Sequence, residues 1–152
     1  MTLRLRTARL EDRDALIELQ RRASLANPED REAILAHPDA IDIPPGQFEA
    51  GNVLVAELDG AAVGFAALFI RPDRQAELDG LFVEPTHWKA GIGRTLVRAA
   101  EERAREHGAD SLHVIGHPNA NGFYSHVGFA ALGEIPTRFG PGRRFVRHLT
   151  EG

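Results

Sequence analysis

The chain has 152 residues, and hydrophobic side chains occupy 43% of them, which predicts a single folded domain over residues 1–152. The sequence contains no cysteine, so disulfides, thiolate zinc sites and a cysteine nucleophile are excluded. A formal net charge of −4 argues against a nucleic-acid partner, and the lack of any long apolar run predicts a cytoplasmic protein without membrane contact.

The first half of the chain mixes strand and helix patterns. Alternating apolar residues indicate strands, and helical spacing after Leu10 indicates helices. Asp59-Gly60 between two apolar runs is typical of a tight hairpin. The remainder of residues 27–51 is irregular because prolines interrupt it. The predicted elements are a strand over 3–7, a helix over 12–26, a short helix over 29–36 and hairpin strands over 52–58 and 61–70.

The second half contains the strongest helix pattern. Its apolar residues share one face, and Gly108 ends it. The predicted elements are a strand over 77–83, a helix over 91–107, a strand over 111–115, a short helix from Asn119 to Ser125 and strands over 129–132 and 145–149. This order predicts an α/β fold with a mixed sheet.

One strand, loop and helix segment indicates a phosphate site. The strand ends at Pro85, and Gly91 and Gly93 open the following helix. Unpaired N–H groups at such a helix start, together with the helix dipole, suit a pyrophosphate. A Rossmann loop would need a third glycine at Leu96, and a Walker A loop would need a lysine at Arg94. A plain glycine-containing helix start stays open as an alternative.

The same segment resembles the central motif of the GNAT acetyltransferases. Val83-Glu84-Pro85 and Gly91-Ile92-Gly93 match it, whereas Trp88 stands where the family has Arg or Gln. Lys89 or Arg94 is then left to supply the positive charge. Trp88 has two open interpretations, stacking near the adenine or covering the loop.

A second family element follows in the sequence. Ala120, Tyr124 and Gly128-Phe129 match its pattern, but the family's asparagine falls on His117. Asn119 is either the substitute for that asparagine or a helix cap. The matches together span nearly the whole chain.

The resemblance implies a single-domain GNAT fold, a central, mixed, mostly antiparallel twisted sheet of about six or seven strands flanked by about four helices. It also implies transfer of an acetyl group from acetyl-CoA to a primary amine by direct attack in a ternary complex. The cofactor-binding residues that it implies are Leu81, Phe82, Val83, Trp88, Lys89, Ala90, Gly91, Ile92, Gly93, Arg94, Thr95, Asn119, Phe123 and Tyr124.

The family mechanism assigns roles to a few residues. Glu77 is the candidate base, acting through water, and Asp79 is the reserve base. A backbone N–H near Leu81 or Phe82 is expected to polarise the thioester carbonyl. Tyr124 is the candidate acid for the departing thiolate.

Each of these roles has a structural alternative. Glu77 is otherwise an exposed carboxylate near Arg74, and Tyr124 a core aromatic residue with a satisfied hydroxyl. His113 is expected to be structural. Arg144, in a basic tail cluster, is either a carboxylate-binding residue or part of a solvated face.

Other function classes remain open. One is a non-catalytic acyl-CoA-binding sensor, and another is a structural or partner-binding protein. The expected acceptor is a small-molecule or peptide amine of unidentified structure. No metal is expected, because no histidine pair has zincin spacing, and a homodimer stays open.

Overall fold

The computed structural model describes residues 2–88, 90–116, 121–137 and 140–149 of the chain. Within these ranges, no helix has both the length and the apolar character that a membrane crossing requires.

The described residues form seven strands and five α-helices. The strands are β1 (Leu3–Thr7), β2 (Val53–Leu58), β3 (Ala61–Ile70), β4 (Gln75–Val83), β5 (Ser111–Gly116), β6 (Ala130–Thr137) and β7 (Gly140–His148). The helices are α1 (Arg13–Ala26), α2 (Pro28–Ala36), α3 (Pro45–Glu49), α4 (Ile92–Glu106) and α5 (Asn121–His126).

The strands form one sheet in the order β1-β2-β3-β4-β5-β7-β6. The β1–β2, β2–β3, β5–β7 and β6–β7 pairs are antiparallel, whereas β4 and β5 run parallel. The predicted α/β fold with a mixed, mostly antiparallel sheet is therefore confirmed.

Two parts of the prediction need correction. Helix α3 was not predicted, because Pro44 and Pro45 were interpreted only as breakers, yet a proline at the first helical position is compatible with a helix. The last hairpin is longer than predicted. Pro136 and Pro141 face each other near its turn, where a missing N–H costs little, and β6 is an edge strand.

The fold divides into two compact units. The first comprises Met1–Ala67 and Gly80–Ala99, and the second comprises Leu68–Asp79 and Ala100–Gly152. Whether residues 1–152 act as one domain stays a prediction.

The first unit contains the predicted β2–β3 hairpin and an apolar core that includes residues of α1. Asp59 and Gly60 turn this hairpin with φ of 52° and 84°, as the favoured two-residue turn requires. The core residues are Ala8, Leu16, Leu19, Ile43, Phe48, Val53, Val55, Phe65 and Ala67.

The second unit is built on β5 and β7. Leu112 and Phe145 are fully buried there, on neighbouring strands that pair from Ser111 to Gly116. The C-terminal half of α4 contributes the buried Ala100 and Ala104. This unit holds both residues predicted to carry the acid–base chemistry.

Candidate active site

A cleft opens in the second unit where two parallel strands part. The β4–β5 ladder joins Gln75 to Ser111 and ends with Glu77 opposite His113. Beyond this pair the two strands line a cleft of about 100 Å³. Its lining residues are Glu77, Leu78, Asp79, His113, Val114, Ile115 and Arg144. Because paired residues share a face and side chains alternate along a strand, Glu77, Asp79 and His113 project to the same side.

Glu77 lies in this cleft with its carboxylate paired to an arginine. Oε1 of Glu77 accepts a hydrogen bond from the Arg71 guanidinium, and the Glu77 side chain keeps 27% of its exposure. The expected neighbour, Arg74, is engaged elsewhere, with Asp110 at 2.9 Å. The ion-pair partner of Glu77 is thus Arg71, and the role of Glu77 as a base stays a prediction.

His113 is another ionisable group of the cleft, and the sequence analysis expected it to be structural. Its Nε2 lies 3.0 Å from Oγ of Ser111, and its buried Nδ1 has no hydrogen-bond partner among the described residues. Burial lowers the pKa of the imidazole, and the charges of Arg144 and Arg71 lower it further. The residue type at position 113 does not predict a place in the cleft, because the cleft lining arises from the register of β4 against β5.

Tyr124 lies on α5 with its ring in an aromatic cluster. The ring centroid is 4.9 Å from that of Phe145, 5.1 Å from Phe123 and 5.7 Å from Phe129. The residue is only 8% exposed, and this burial raises the pKa of its hydroxyl to about 12. The phenol is therefore protonated at neutral pH, as an acid must be before it donates.

Gly116 on β5 allows the ring of Tyr124 to approach the sheet. A Cβ on Gly116 would lie 3.0 Å from Cε2 of Tyr124 and 3.4 Å from Cε2 of Phe145. Contacts of 3.0 Å are too short for ordinary packing, so the missing side chain sets the position of the ring.

The first unit carries the predicted phosphate loop. A short 3₁₀ turn over Pro85–His87 follows β4, and the Trp88 indole donates a hydrogen bond of 2.8 Å to the Val83 carbonyl. Arg22 of α1 grips the carboxylate of Glu84 through two bonds of 2.8 Å, which lower the pKa of Glu84. Side chains of Arg22 and Trp88 thus hold the chain at the end of β4.

Helix α4 begins with amides directed away from its own hydrogen bonds. Gly91 has a φ of 82° and open space where a Cβ would stand. The Thr95 amide donates to the Gly91 carbonyl at 3.1 Å, and Oγ1 of Thr95 donates to the same oxygen at 3.0 Å. Because a helix pairs N–H groups only from its fourth or fifth position onward, the amides of Ile92 to Arg94 point out of its start. This geometry suits an anion.

Gly80 and Phe82 of β4 also contribute to packing in the first unit. The Phe82 ring lies 5.6 Å from that of Phe65 in the first unit. A Cβ on Gly80 would lie 3.2 Å from Cε2 of Phe82, so Gly80 accommodates this ring.

Three residues of the predicted site, Lys89, His117 and Asn119, lie outside the described residues. In the part of the chain that the structure describes, no three His, Asp or Glu side chains gather as metal ligands would.

Comparisons with known proteins agree on one family. Residues 14–129 match the model of the Acetyltransferase (GNAT) family. The structure resembles the crystal structure of the PaiA N-acetyltransferase of Thermoplasma acidophilum in complex with coenzyme A. The TM-score is 0.77 at 22% identity, covering 97% of this chain and 99% of that one.

Two curated relatives match over shorter stretches. One is the mycothiol acetyltransferase of Amycolatopsis mediterranei, 39% identical over 61 residues, which is 40% of this chain and 20% of that protein. The other is the aminoglycoside N(6')-acetyltransferase type 1 of Klebsiella aerogenes, 44% identical over 66 residues, 39% of this chain and 43% of that protein. The matched stretches thus span less than half of either relative.

Proposed function

Because the chain belongs to the acetyltransferase (GNAT) family, we propose that it transfers an acetyl group from acetyl-CoA to a primary amine. The acceptor is a small-molecule or peptide amine, and residues 1–152 act as one catalytic domain. The coenzyme A complex of the PaiA enzyme supports acetyl-CoA as the co-substrate. The curated mycothiol and aminoglycoside enzymes support an amine acceptor without identifying it.

The outward amides of Ile92, Gly93 and Arg94 are proposed to bind the diphosphate of acetyl-CoA. Donation from backbone N–H groups needs no particular side chain, so Trp88 in place of the family's Arg or Gln does not remove the site. Gly91 leaves the approach to these amides open.

The chemistry requires three proton movements. A lysine-like amine has a pKa near ~10 and is protonated at pH 7, so it loses its proton to Glu77 or Asp79 before its nitrogen attacks the thioester carbon. A C–N bond forms, and the C–S bond breaks. The Tyr124 hydroxyl gives its proton to the departing thiolate, and the second proton, which the attacking nitrogen loses as the amide forms, restores the Tyr124 hydroxyl. A donor N–H near Leu81 or Phe82 is proposed to stabilise the oxyanion by about 3 kcal/mol.

The observation that carries the proposal is the end of the β4–β5 ladder at Glu77 and His113. The strands part there and expose ionisable side chains in a cleft, whereas a continuous ladder would leave no room for an acceptor.

The test measures thiol release from acetyl-CoA with a panel of amines, aminoglycosides, polyamines and peptides. We expect turnover with at least one class of amine. E77Q should lower kcat/KM by about 100-fold if Glu77 is the base, and D79N should do so if Asp79 is the base. The matched control is E102Q, whose side chain is 72% exposed on α4. Tight acetyl-CoA binding without turnover would instead identify a sensor, and no acyl-CoA binding would refute both.

A further inference from the structure

A buried ion pair joins α4 to β7 in the second unit. Glu101 is only 2% exposed, and its Oε1 accepts a hydrogen bond of 3.0 Å from Nε of Arg147. A carboxylate this deep in a protein is costly unless a cation faces it. The pair is therefore a fixed feature of the unit, and it lies outside the cleft of Glu77.

The same guanidinium also grips the end of α5. Nη1 of Arg147 donates to the carbonyls of Val127 at 3.4 Å and Gly128 at 3.3 Å. Helix α5 has six residues, too few to be stable on its own. A cation at the C-terminal carbonyls favours a helix by charge and by hydrogen bonding.

Gly128 leaves the room that this contact needs. Its φ is 100°, and a Cβ there would overlap Nη1 of Arg147. Gly128 thus supplies both the left-handed backbone that ends the helix and the space for the guanidinium.

The gripped segment leads directly to Tyr124. The Phe129 amide donates to the Tyr124 carbonyl at 2.8 Å, and the rings of Phe129 and Phe145 pack on that of Tyr124. Phe145 and Arg147 share β7. Arg147 therefore ties together the helix end and the strand that enclose the phenol.

We propose that Glu101 and Arg147 are positioning residues that hold α5 so that the Tyr124 hydroxyl stays buried at its place of action. Glu101 fixes the guanidinium, and the guanidinium fixes the Val127 and Gly128 carbonyls. The inference depends on the proposed function only in giving Tyr124 the role of acid.

A double variant separates positioning from stability. E101L/R147M removes both charges of the pair, a change that is often neutral for stability. It also removes the donor from the two carbonyls. We expect a melting temperature close to that of the wild type, with kcat lower by about 10- to 100-fold and KM for acetyl-CoA unchanged.

The chain has one tyrosine, so its phenol can be titrated without background, by ultraviolet absorbance or by NMR of ¹³C-labelled tyrosine. In the wild type, burial raises the pKa of Tyr124 to about 12. In E101L/R147M we expect that pKa to fall toward 10 as α5 loosens and water reaches the ring. The control is R74M/D110L, which removes an exposed pair of the same unit at 2.9 Å and should leave the titration unchanged.

Should E101L/R147M fail to fold, R147K decides. Lysine keeps a charge for Glu101 but lacks the second donor that reaches the carbonyls, so the tyrosine signal should still move. An unchanged Tyr124 titration in the folded variant overturns the inference, whether or not the wild type is active. A shifted Tyr124 titration in the variant, together with no turnover by the wild type, supports positioning and refutes only the proposed acetyl transfer.

Discussion

At the scale of single residues, Tyr124 is the side chain whose environment bears most directly on the chemistry. With the pKa of its hydroxyl raised to about 12 by burial, it holds its proton throughout the working range and is therefore in the form that an acid needs before it donates. We predict that Y124F lowers kcat by about 100-fold while KM for acetyl-CoA stays within about twofold. Steady-state thiol-release kinetics measure both.

The control for Y124F is a change in the same cluster that keeps the phenol. Phe123 is 38% exposed and packs edge-on against Tyr124, so F123L should alter kcat far less, and the loss of its predicted cofactor contact should raise KM instead. Equal losses in the two variants would show that ring packing matters and the hydroxyl does not.

The sequence predicted Tyr124 and Glu77 through the family pattern, but not the residues around them. Arg71 and Arg74 are equally plausible partners for Glu77 in the sequence. The turn decides between them: the Arg71 amide bonds to the Gln75 carbonyl at 2.8 Å, while Arg74, at a φ of 65°, reaches Asp110. Such a choice depends on backbone geometry that no spacing rule encodes.

At the scale of elements, the approach of β3 to α4 depends on Gly64. A Cβ there would lie 3.0 Å from Cδ1 of Leu96, 3.1 Å from the Phe82 carbonyl oxygen and 3.3 Å from Cγ2 of Ile92. Because a backbone oxygen cannot move aside as a side chain can, we predict that G64A lowers the free energy of unfolding by about 1–3 kcal/mol. Urea denaturation monitored by circular dichroism measures it.

The matched control for G64A is G46A. Gly46 lies in α3 with open space where a Cβ would stand, so alanine should raise the free energy of unfolding by about 0.5–1 kcal/mol through its helix preference. Two alanine substitutions with opposite signs would test the contact argument, and a loss of the same size in both would contradict it.

Elements with a local signal were predicted well. Asp59-Gly60 marked the hairpin, and the apolar face of α4 with Gly108 at its end marked the long helix, which the structure ends at Glu106. The β6–β7 hairpin was underestimated because its glycines and prolines look like a loop. Strand β7 also pairs with β5, so it lies between β5 and β6. That second pairing joins strands that are distant in sequence.

At the scale of the whole molecule, the sheet order could not be derived from periodicity. The chain visits β5, then β6, then β7, yet β7 pairs with β5. That insertion creates the cleft lining, since it brings Arg144 opposite Ile115. The resemblance to the family supplied the fold, and the register supplied the composition of the cleft.

The free energy of unfolding should depend on the protonation of His113. Its pKa is lowered by burial, then by the charges of Arg144, Arg71 and His148, against an opposing effect of Asp73. The unfolded chain takes up a proton on this imidazole near pH ~6.5, and the folded chain does so only at lower pH. Between these two pH values the unfolded state binds more protons, so the free energy of unfolding must fall as the solution is acidified through that window.

We predict that H113Q makes the free energy of unfolding less sensitive to pH between neutrality and the lowered pKa of His113. Urea denaturation at several pH values measures the difference between variant and wild type.

H107Q, at an exposed position after α4, is the control and should keep the wild-type slope. All other histidines cancel in this comparison, so parallel profiles for H113Q and the wild type would mean that the imidazole is hydrated and charges freely. The burial that lowers the pKa of His113 would then not persist in solution.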